Sequence, residues 1–144
     1  WYALNTNSKV WTVDISQEAI NICKKVTEKW KDAIIYICDD SIHFLKTFPN
    51  KIHFLYLDSF DTDWSKQETI IAACLHQLNE VKNSIDKMDD NGMILVDDVR
   101  KDLKGGKSEL SMKFLLDNGW KILRYIPDDG LGNGQICFSR EENL

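Results

Sequence analysis

The side chains in this sequence that are best suited to chemistry are aspartates that directly follow apolar runs. The clearest run is 93–96, four unbroken apolar residues followed by Asp97 and Asp98. Three other apolar runs stop in the same way, at Asp14, at Asp39 and Asp40, and at Asp58. Carboxylates gathered in one crevice repel one another and need a hard cation or hydrogen-bond donors to neutralise them. The repeated pattern therefore predicts a ligand site. The structural alternative is that each acid only caps a turn or a helix.

Buried parallel strands would bring these acids to one place. A run such as 93–96, apolar on both faces, is typical of a strand in a sheet that helices cover on both sides. The carboxyl ends of parallel strands meet at the same edge of the sheet, which is where open α/β sheets bind ligands. Neighbouring strands lie about 5 Å apart, so acids that end adjacent strands can share an ion. We expect the aspartates to face one crevice at this edge.

Amphipathic segments alternate with the apolar runs and give the predicted element order β-α-β-α-β-α-β-α-β-β. The predicted strands are 9–14, 33–38, 52–57, 92–99, 120–126 and 135–139. The longest predicted helix runs from Ser65 to Met88 and ends in a turn at Gly92. This order predicts an α/β fold with a mostly parallel sheet and a C-terminal antiparallel hairpin. We expect a single domain over residues 1–144.

Length and charge narrow the function classes. The 144 residues carry a formal net charge of −5, and the pattern has no basic patch, which argues against a nucleic-acid partner. No apolar run approaches the roughly 18 residues that span a bilayer, so we expect no membrane partner. The four cysteines are scattered through apolar patterns, which favours free thiols in a reducing cytoplasm. The predicted protein is cytoplasmic and binds a small molecule.

From about Lys9 to Ser139 the chain resembles the class I S-adenosylmethionine-dependent methyltransferases. The resemblance implies a Rossmann-like three-layer sandwich with S-adenosylmethionine as cofactor. Segment 12–16 is similar to the second strand of that family, whose terminal acid holds the ribose hydroxyls, and this implies cofactor-binding roles for Asp14 and Ile15. Segment 39–41 is similar to the next motif of the family. It implies that Asp40 and Ser41 contact the adenine.

The second group of acids is similar to the metal site of the catechol-type O-methyltransferases. The resemblance implies that Asp58, Asp97 and Asp98 bind a divalent cation, magnesium, manganese or calcium, which orients a substrate hydroxyl. That family carries a lysine base three positions after the first metal acid, and here the position holds Asp61. The base is left open among Lys66, Asp61 and His53. Our candidate catalytic residues are Asp58 and Asp61.

The family's first strand and its glycine-rich loop have no counterpart in this sequence, which begins at Trp1. We expect an N-terminally truncated domain that lacks the first strand. The alternatives are a strand from another segment or chain, or a degenerate domain.

The function we expect is methyl transfer from S-adenosylmethionine to a small-molecule acceptor, at a hydroxyl oxygen and with assistance from the metal. The alternative is a non-catalytic Rossmann-like module that binds a nucleotide or a protein. A nicotinamide-dependent enzyme is a weaker option, because no glycine fingerprint supports it. Besides the small molecule, a homodimer partner is left open.

Overall fold

The computed structural model describes residues 8–100, 106–127 and 133–140. The chain divides into two compact units, Trp1–Thr47 and Phe48–Leu144, which are described separately below. The expectation of a single domain over residues 1–144 stays a prediction. None of the helices in the described ranges is both long and apolar enough to cross a membrane.

The first unit is a two-stranded parallel sheet with two α-helices. Its elements are β1 (Val10–Asp14), α1 (Gln17–Val26), a short 3-10 helix (Glu28–Trp30), β2 (Ile34–Cys38) and α2 (Ser41–Thr47). Val10 lies opposite Ile34, and the strand ends Asp14 and Cys38 lie opposite each other. The acids that follow the two strands are therefore brought to one edge of this sheet, as the apolar runs predict.

The second unit is built on a four-stranded sheet. Its elements are β3 (Ile52–Leu57), α3 (Gln67–Ser84), a 3-10 helix (Ile85–Lys87), β4 (Met88–Arg100), α4 (Glu109–Asp117), β5 (Lys121–Ile126) and β6 (Asn133–Ser139). The strand order is β3-β4-β6-β5, with β3 parallel to β4 and with β6 antiparallel to both β4 and β5. The C-terminal hairpin is thus confirmed, and its last strand lies between β4 and β5.

The core of the second unit confirms that the apolar runs are strands. Ile94 and Val96 of β4 and Ile136 and Phe138 of β6 are 0% exposed. Met93 and Leu95, which alternate with them, are only half-buried. In the two central strands, β4 and β6, one face is therefore buried and the other is partly open.

The long helix ends earlier than the sequence predicts. α3 stops at Ser84, and β4 already begins at Met88. Between the pairs Ile52–Met88 and Phe54–Met93, β4 advances by more residues than β3, so segment 89–92 bulges out of the ladder. Gly92 closes this bulge, because a Cβ atom there would lie 2.9 Å from the Asp89 carbonyl oxygen. The polar segment that we assigned to a helix end is a strand irregularity.

Candidate functional site

The C-terminal edge of the first unit carries the residues predicted to bind the cofactor ribose. Asp14 ends β1 and is exposed. Its Oδ1 accepts a hydrogen bond from the Ser16 backbone N–H at 2.7 Å. Ile15 is 76% exposed and offers apolar surface beside this carboxylate. Among the described residues only Ser16 donates to Asp14, so its Oδ2 is available to a ligand.

The acids after β2 are engaged with the start of α2. Oδ1 of Asp39 accepts from the Asp40 backbone N–H at 2.8 Å, and Oδ2 of Asp39 lies 2.6 Å from Nδ1 of His43. The hydrogen bond with His43 lowers the pKa of Asp39 below its usual value. Oδ1 of Asp40 accepts from the His43 backbone N–H at 2.9 Å, which is the geometry of a helix N-cap. Ser41 begins α2 and is half-buried.

The two strand ends of the first unit are joined directly. The backbone N–H of Asp39 donates to the carbonyl oxygen of Asp14 at 3.1 Å. The structure therefore brings Asp14, Ile15, Asp40 and Ser41 to one edge. Their roles in cofactor binding stay predictions.

The C-terminal edge of the second unit is organised by a lysine that the sequence reasoning missed. The side chain of Lys107 is 3% exposed, and its Nζ lies 3.0 Å from Oδ1 of Asp58 and 2.8 Å from Oδ2 of Asp98. Burial by itself would lower the pKa of this ammonium, but the bonds with Asp98 and Asp58 outweigh burial and raise the pKa. Lys107 is therefore a fixed internal cation between the ends of β3 and β4.

The third acid of this edge has neutral partners. The hydroxyl of Tyr56 donates to Oδ2 of Asp97 and makes a longer contact of 3.4 Å with Asp58. Nε2 of Gln135, on β6, donates to the same Asp97 oxygen at 3.0 Å. Burial together with the bond to Asp97 raises the pKa of Tyr56 well above its usual range. Burial alone would raise the pKa of Asp97, but its donors, Tyr56 first among them, lower it.

The backbone is strained at both strand ends of this unit. Phe60, after β3, has φ of +74°, and Asp98, in β4, has φ of +55°. These are the two non-glycine residues of the described chain with positive φ. Such conformations cost about 1–3 kcal/mol each and persist where the surroundings impose them. For Asp98 the surroundings include Lys107, which follows Gly106 in a left-handed turn at φ of +78°.

A buried glutamate fixes the segment after β3. Glu80, on α3, is 2% exposed, and its Oε1 accepts from the Ser59 hydroxyl at 2.7 Å. His76, one turn earlier on α3, places Nε2 3.7 Å from the same oxygen and packs its ring 5.4 Å from the ring of Phe60. These contacts hold the residues that follow Asp58 against α3.

The predicted metal site is not supported by this arrangement. Asp58 and Asp98 share the Lys107 ammonium, and Asp97 turns its carboxylate to Tyr56 and Gln135. The described ranges contain no group of three or more His, Cys, Asp or Glu side chains that fits a metal ion. A divalent cation would have to displace the lysine, so the donor set does not fit it. The charge crowding that suggested a cation is real, but a lysine 49 positions after Asp58 relieves it.

The three candidate catalytic bases are more exposed than Lys107. Asp61 is exposed in the segment between β3 and α3, and its catalytic role stays a prediction. Nζ of Lys66 lies 2.8 Å from Asp63, and Nε2 of His53 lies 3.9 Å from Asp89, in ion pairs that are largely exposed. The structure gives none of the three a buried setting of the kind that tunes a catalytic base.

Comparison with known proteins shows which solved structures share this fold. No protein-family model and no curated protein matches the sequence. The rRNA methylase from Streptococcus thermophilus is 9% identical, with a TM-score of 0.64 over 91% of this chain and 72% of that one. The ribosomal protein L11 methylase from Lactobacillus delbrueckii subsp. bulgaricus is 12% identical, with a TM-score of 0.62 over 93% of this chain and 58% of that one.

A third structure was solved with its cofactor. The magnesium protoporphyrin IX methyltransferase from Synechocystis PCC 6803 with bound SAM is 14% identical, with a TM-score of 0.63 over 92% of this chain and 60% of that one. The chain shares the mixed α/β fold of these three structures. This confirms the Rossmann-like α/β class. The chain spans less than two thirds of the length of two of the three structures, 58% and 60%.

The expected partners need correction. From the net charge of −5 we expected a small-molecule substrate and no nucleic acid, yet the matched structures include an rRNA methylase and a ribosomal protein methylase. Net charge is a sum over the whole surface, whereas a macromolecular substrate contacts one face. The exclusion of nucleic acid was wrong because an acidic average says nothing about a single face.

Proposed function

We propose that this protein is an S-adenosylmethionine-dependent methyltransferase. The observation that carries the proposal is the fold, which it shares with methyltransferases along about nine tenths of its length, as 91% and 92% coverage show. The exposed carboxylate of Asp14 at the end of β1 supports it, because this edge is where α/β sheets bind ligands.

The first unit supplies the chemistry that the cofactor needs. Asp14 offers Oδ2 to the ribose hydroxyls, since Oδ1 is engaged with Ser16. Ile15, 76% exposed, provides apolar surface for a base. Asp40 keeps Oδ2 for a hydrogen-bond donor after using Oδ1 as a cap, and Ser41 stands beside it. These acceptor oxygens and the apolar surface fit the adenosine half of the cofactor.

The second unit is proposed to serve the methyl acceptor. Bound S-adenosylmethionine supplies an electrophilic methyl group, and the acceptor atom must lose a proton as it is methylated. Lys107 and Tyr56 have raised pKa values and therefore stay protonated at neutral pH. They can hold carboxylates in place but cannot take that proton. We assign the proton-accepting role to a carboxylate, Asp58 or the exposed Asp61, acting on a hydroxyl of the acceptor.

The methyl acceptor that we propose is a macromolecule. Two of the three compared structures are named for ribosomal substrates, one RNA and one protein. We propose a component of the ribosome, with RNA tested first. Incubation with radiolabelled cofactor and ribosomes, followed by separation of RNA from protein, identifies the labelled fraction. Label in neither fraction would contradict this part.

Cofactor binding has its own test in isothermal titration with S-adenosylhomocysteine. We expect the protein to bind and Asp14→Ala to weaken binding about 100-fold, the effect of two charge-assisted hydrogen bonds of about 1.5 kcal/mol each. Asp32→Ala is the matched control, because Asp32 is another exposed aspartate of the first unit. Failure of the unaltered protein to bind would refute the function. Binding without methyl transfer to any acceptor would favour the non-catalytic module.

A further inference from the structure

The charges of the first unit are divided between its two ends. The acids described above follow the carboxyl ends of β1 and β2, and Glu18 lies in the first turn of α1 at the same end. At the opposite end α1 finishes and both strands begin, and five exposed lysines come together there: Lys9, Lys24, Lys25, Lys29 and Lys31. We call this set of five lysines the basic end.

Hydrogen bonds place these lysines at one end of the unit. Nζ of Lys9, just before β1, donates to the carbonyl oxygen of Asp32, in the segment that leads into β2. The Thr27 hydroxyl, just after α1, lies 2.6 Å from the Tyr36 hydroxyl on β2. The end of the helix and the starts of the two strands are therefore neighbours.

Two aromatic rings lie among the lysines. Nζ of Lys29 is 4.0 Å from the centre of the Trp30 ring, and Nζ of Lys24 is 5.7 Å from the centre of the Tyr36 ring. Both distances are within the range in which the face of a ring attracts a cation. Cations together with aromatic rings are the side chains with which proteins bind single-stranded nucleic acid.

Most of the positive charge at the basic end is not neutralised by acids. Lys31 forms an ion pair with Glu28 at 3.0 Å, and it is the one lysine of the five to pair with a carboxylate in the ranges that the structure describes. Asp32 is the second acid of this end. Five lysines and two acids leave a net charge of +3, although the whole chain carries −5.

A purely structural explanation covers only part of the basic end. Lys24 and Lys25 lie in the last turn of α1, where cations stabilise the helix dipole. The other three lysines lie outside α1, so the helix dipole does not account for them. The set as a whole is a positively charged surface.

An anionic lipid surface is the alternative partner for such a surface. Ile22 and Val26, four positions apart on α1, are 57% and 68% exposed and would favour lipid. A helix that lies in a membrane interface needs a large continuous apolar face, and two side chains do not form one. RNA fits better, because a nucleic acid needs cations and rings rather than apolar area.

We propose that the basic end of the first unit binds the phosphate backbone of an RNA acceptor. This inference rests on the proposed function, because the RNA is the acceptor proposed there. β1 has five residues and therefore spans about 16 Å at about 3.3 Å per residue. The basic end thus anchors the RNA at a distance from Asp14 and contributes to RNA affinity rather than to the chemical step.

Fluorescence anisotropy with a fluorescein-labelled oligouridylate tests the proposal, because contacts with phosphates do not depend on the base sequence. Each such contact with a single strand contributes about 0.7 to the slope of log affinity against log salt. We expect a triple variant, Lys24→Gln with Lys25→Gln and Lys29→Gln, to lower that slope by about 2. Between about 50 and 200 mM salt the unaltered protein should therefore lose about 20-fold more affinity than the variant.

The matched control is a second triple variant, Lys51→Gln with Lys82→Gln and Lys113→Gln, which removes the same charge from exposed positions of the second unit. It also removes a lysine beside a ring, since Nζ of Lys82 is 5.7 Å from the centre of the Phe114 ring. The control should keep the slope of the unaltered protein. Circular dichroism checks that both variants are folded.

Four results would overturn the inference. The first is that the unaltered protein does not bind the RNA, and the second is that the basic-end variant keeps the original slope. An equal loss of slope in both triple variants would show an effect of net charge alone. Binding of vesicles of phosphatidylserine and phosphatidylcholine, without binding of RNA, would assign the surface to lipid.

The proposed function fails in a different way. Binding of S-adenosylhomocysteine without binding of RNA would refute this inference and leave the cofactor assignment intact. Binding of RNA that depends on the basic end, without binding of S-adenosylhomocysteine, would support this inference and refute the proposed function.

Discussion

The two units use the same sequence pattern, an apolar strand that stops at aspartate, in different ways. In the first unit the side-chain carboxylates of Asp14, Asp39 and Asp40 find their partners within four positions along the chain. In the second unit Asp58 is bound by Lys107, 49 positions away, and Asp97 by Gln135, 38 positions away. The carboxylates of the first edge are held by partners close in sequence, and those of the second edge by tertiary contacts.

This difference determines what each edge can do. Local caps consume backbone N–H groups and one carboxylate oxygen at a time, so Asp14 and Asp40 keep an oxygen for a ligand. In the second unit the charges are neutralised within the network itself, because two carboxylates share the Lys107 ammonium. We therefore expect substitutions at the second edge to change stability, and substitutions at the first edge to change ligand affinity.

The largest effect on stability is expected for Lys107→Met. Loss of the ammonium leaves Asp58 and Asp98 without their shared partner, and we expect the second unit to lose about 1–3 kcal/mol of unfolding free energy. Urea unfolding, followed by fluorine NMR of fluorotryptophan at the buried Trp120, measures this unit. Lys113→Met is the control, because its ion pair with Asp117 is exposed and should contribute under about 0.5 kcal/mol. Equal stabilities of the two variants would show that the buried Lys107 contributes no more than an exposed ion pair. The second edge would then have no special role in stability.

Tyr56→Phe should cost about 1 kcal/mol at pH 8 and change the alkaline behaviour of the second unit. The folded pKa values of Tyr56 and Lys107 are raised, so the unfolded chain releases their protons first. Stability is therefore fully present below their ordinary values of 10.0 and 10.5 and is lost as the pH rises above them. In Tyr56→Phe only the Lys107 contribution to this pH dependence remains, so stability should fall less steeply as the pH rises. Unfolding curves between about pH 8 and 11 give the slopes, and Tyr36→Phe in the first unit should leave the slope of the second unaltered.

Ser16→Ala tests how much the helix cap beside the first edge contributes to stability. The Ser16 hydroxyl accepts from the Ala19 N–H at 3.2 Å, and loss of this cap should cost about 1 kcal/mol. Amide exchange in the first turn of α1 should quicken about fivefold. Ser16→Asn, which can cap equally well, should exchange at the original rate. Identical exchange in both variants would show that the hydroxyl contributes nothing.

The smallest effect on stability is expected for Asp40→Asn. Asparagine caps helices about as well as aspartate, so the first unit should change by no more than a few tenths of a kcal/mol. If Oδ2 of Asp40 also accepts a hydrogen bond from the cofactor, affinity for S-adenosylhomocysteine should fall severalfold in calorimetry. Asp40→Ala should lower both quantities. A stable Asp40→Asn protein with unaltered affinity would confine Asp40 to its capping role.

Much of the fold follows from the sequence because its signals are local. Uninterrupted apolar runs predicted the strands, and the antiparallel pairing of the last two strands was expected and found. The boundary between α3 and β4 was misplaced because Asp89 to Gly92 reads equally well as a helix end and as a bulge. The bulge depends on pairing with β3, which periodicity does not report.

In the candidate site, too, the features that are local in sequence could be predicted and those that depend on distant residues could not. The positions of Asp14, Ile15, Asp40 and Ser41 at one edge could be predicted, since each follows its own strand directly. The metal predicted at the second edge is not supported, because the Lys107 ammonium lies between Asp58 and Asp98. The sequence did not indicate this role, because Lys107 follows a glycine and precedes a short helix, without any pattern that marks burial.

The sequence by itself determined where strands end in carboxylates and that these ends share an edge within each unit, because both follow from hydrophobic periodicity and parallel pairing. Only the tertiary structure decided which carboxylates are neutralised. That choice depends on whether a cation or hydroxyl that is distant in sequence, such as Lys107 or Tyr56, reaches the acid in the folded chain. The acids of the second edge are held by such partners, while Asp14 and Asp40 of the first edge each keep one oxygen for a ligand.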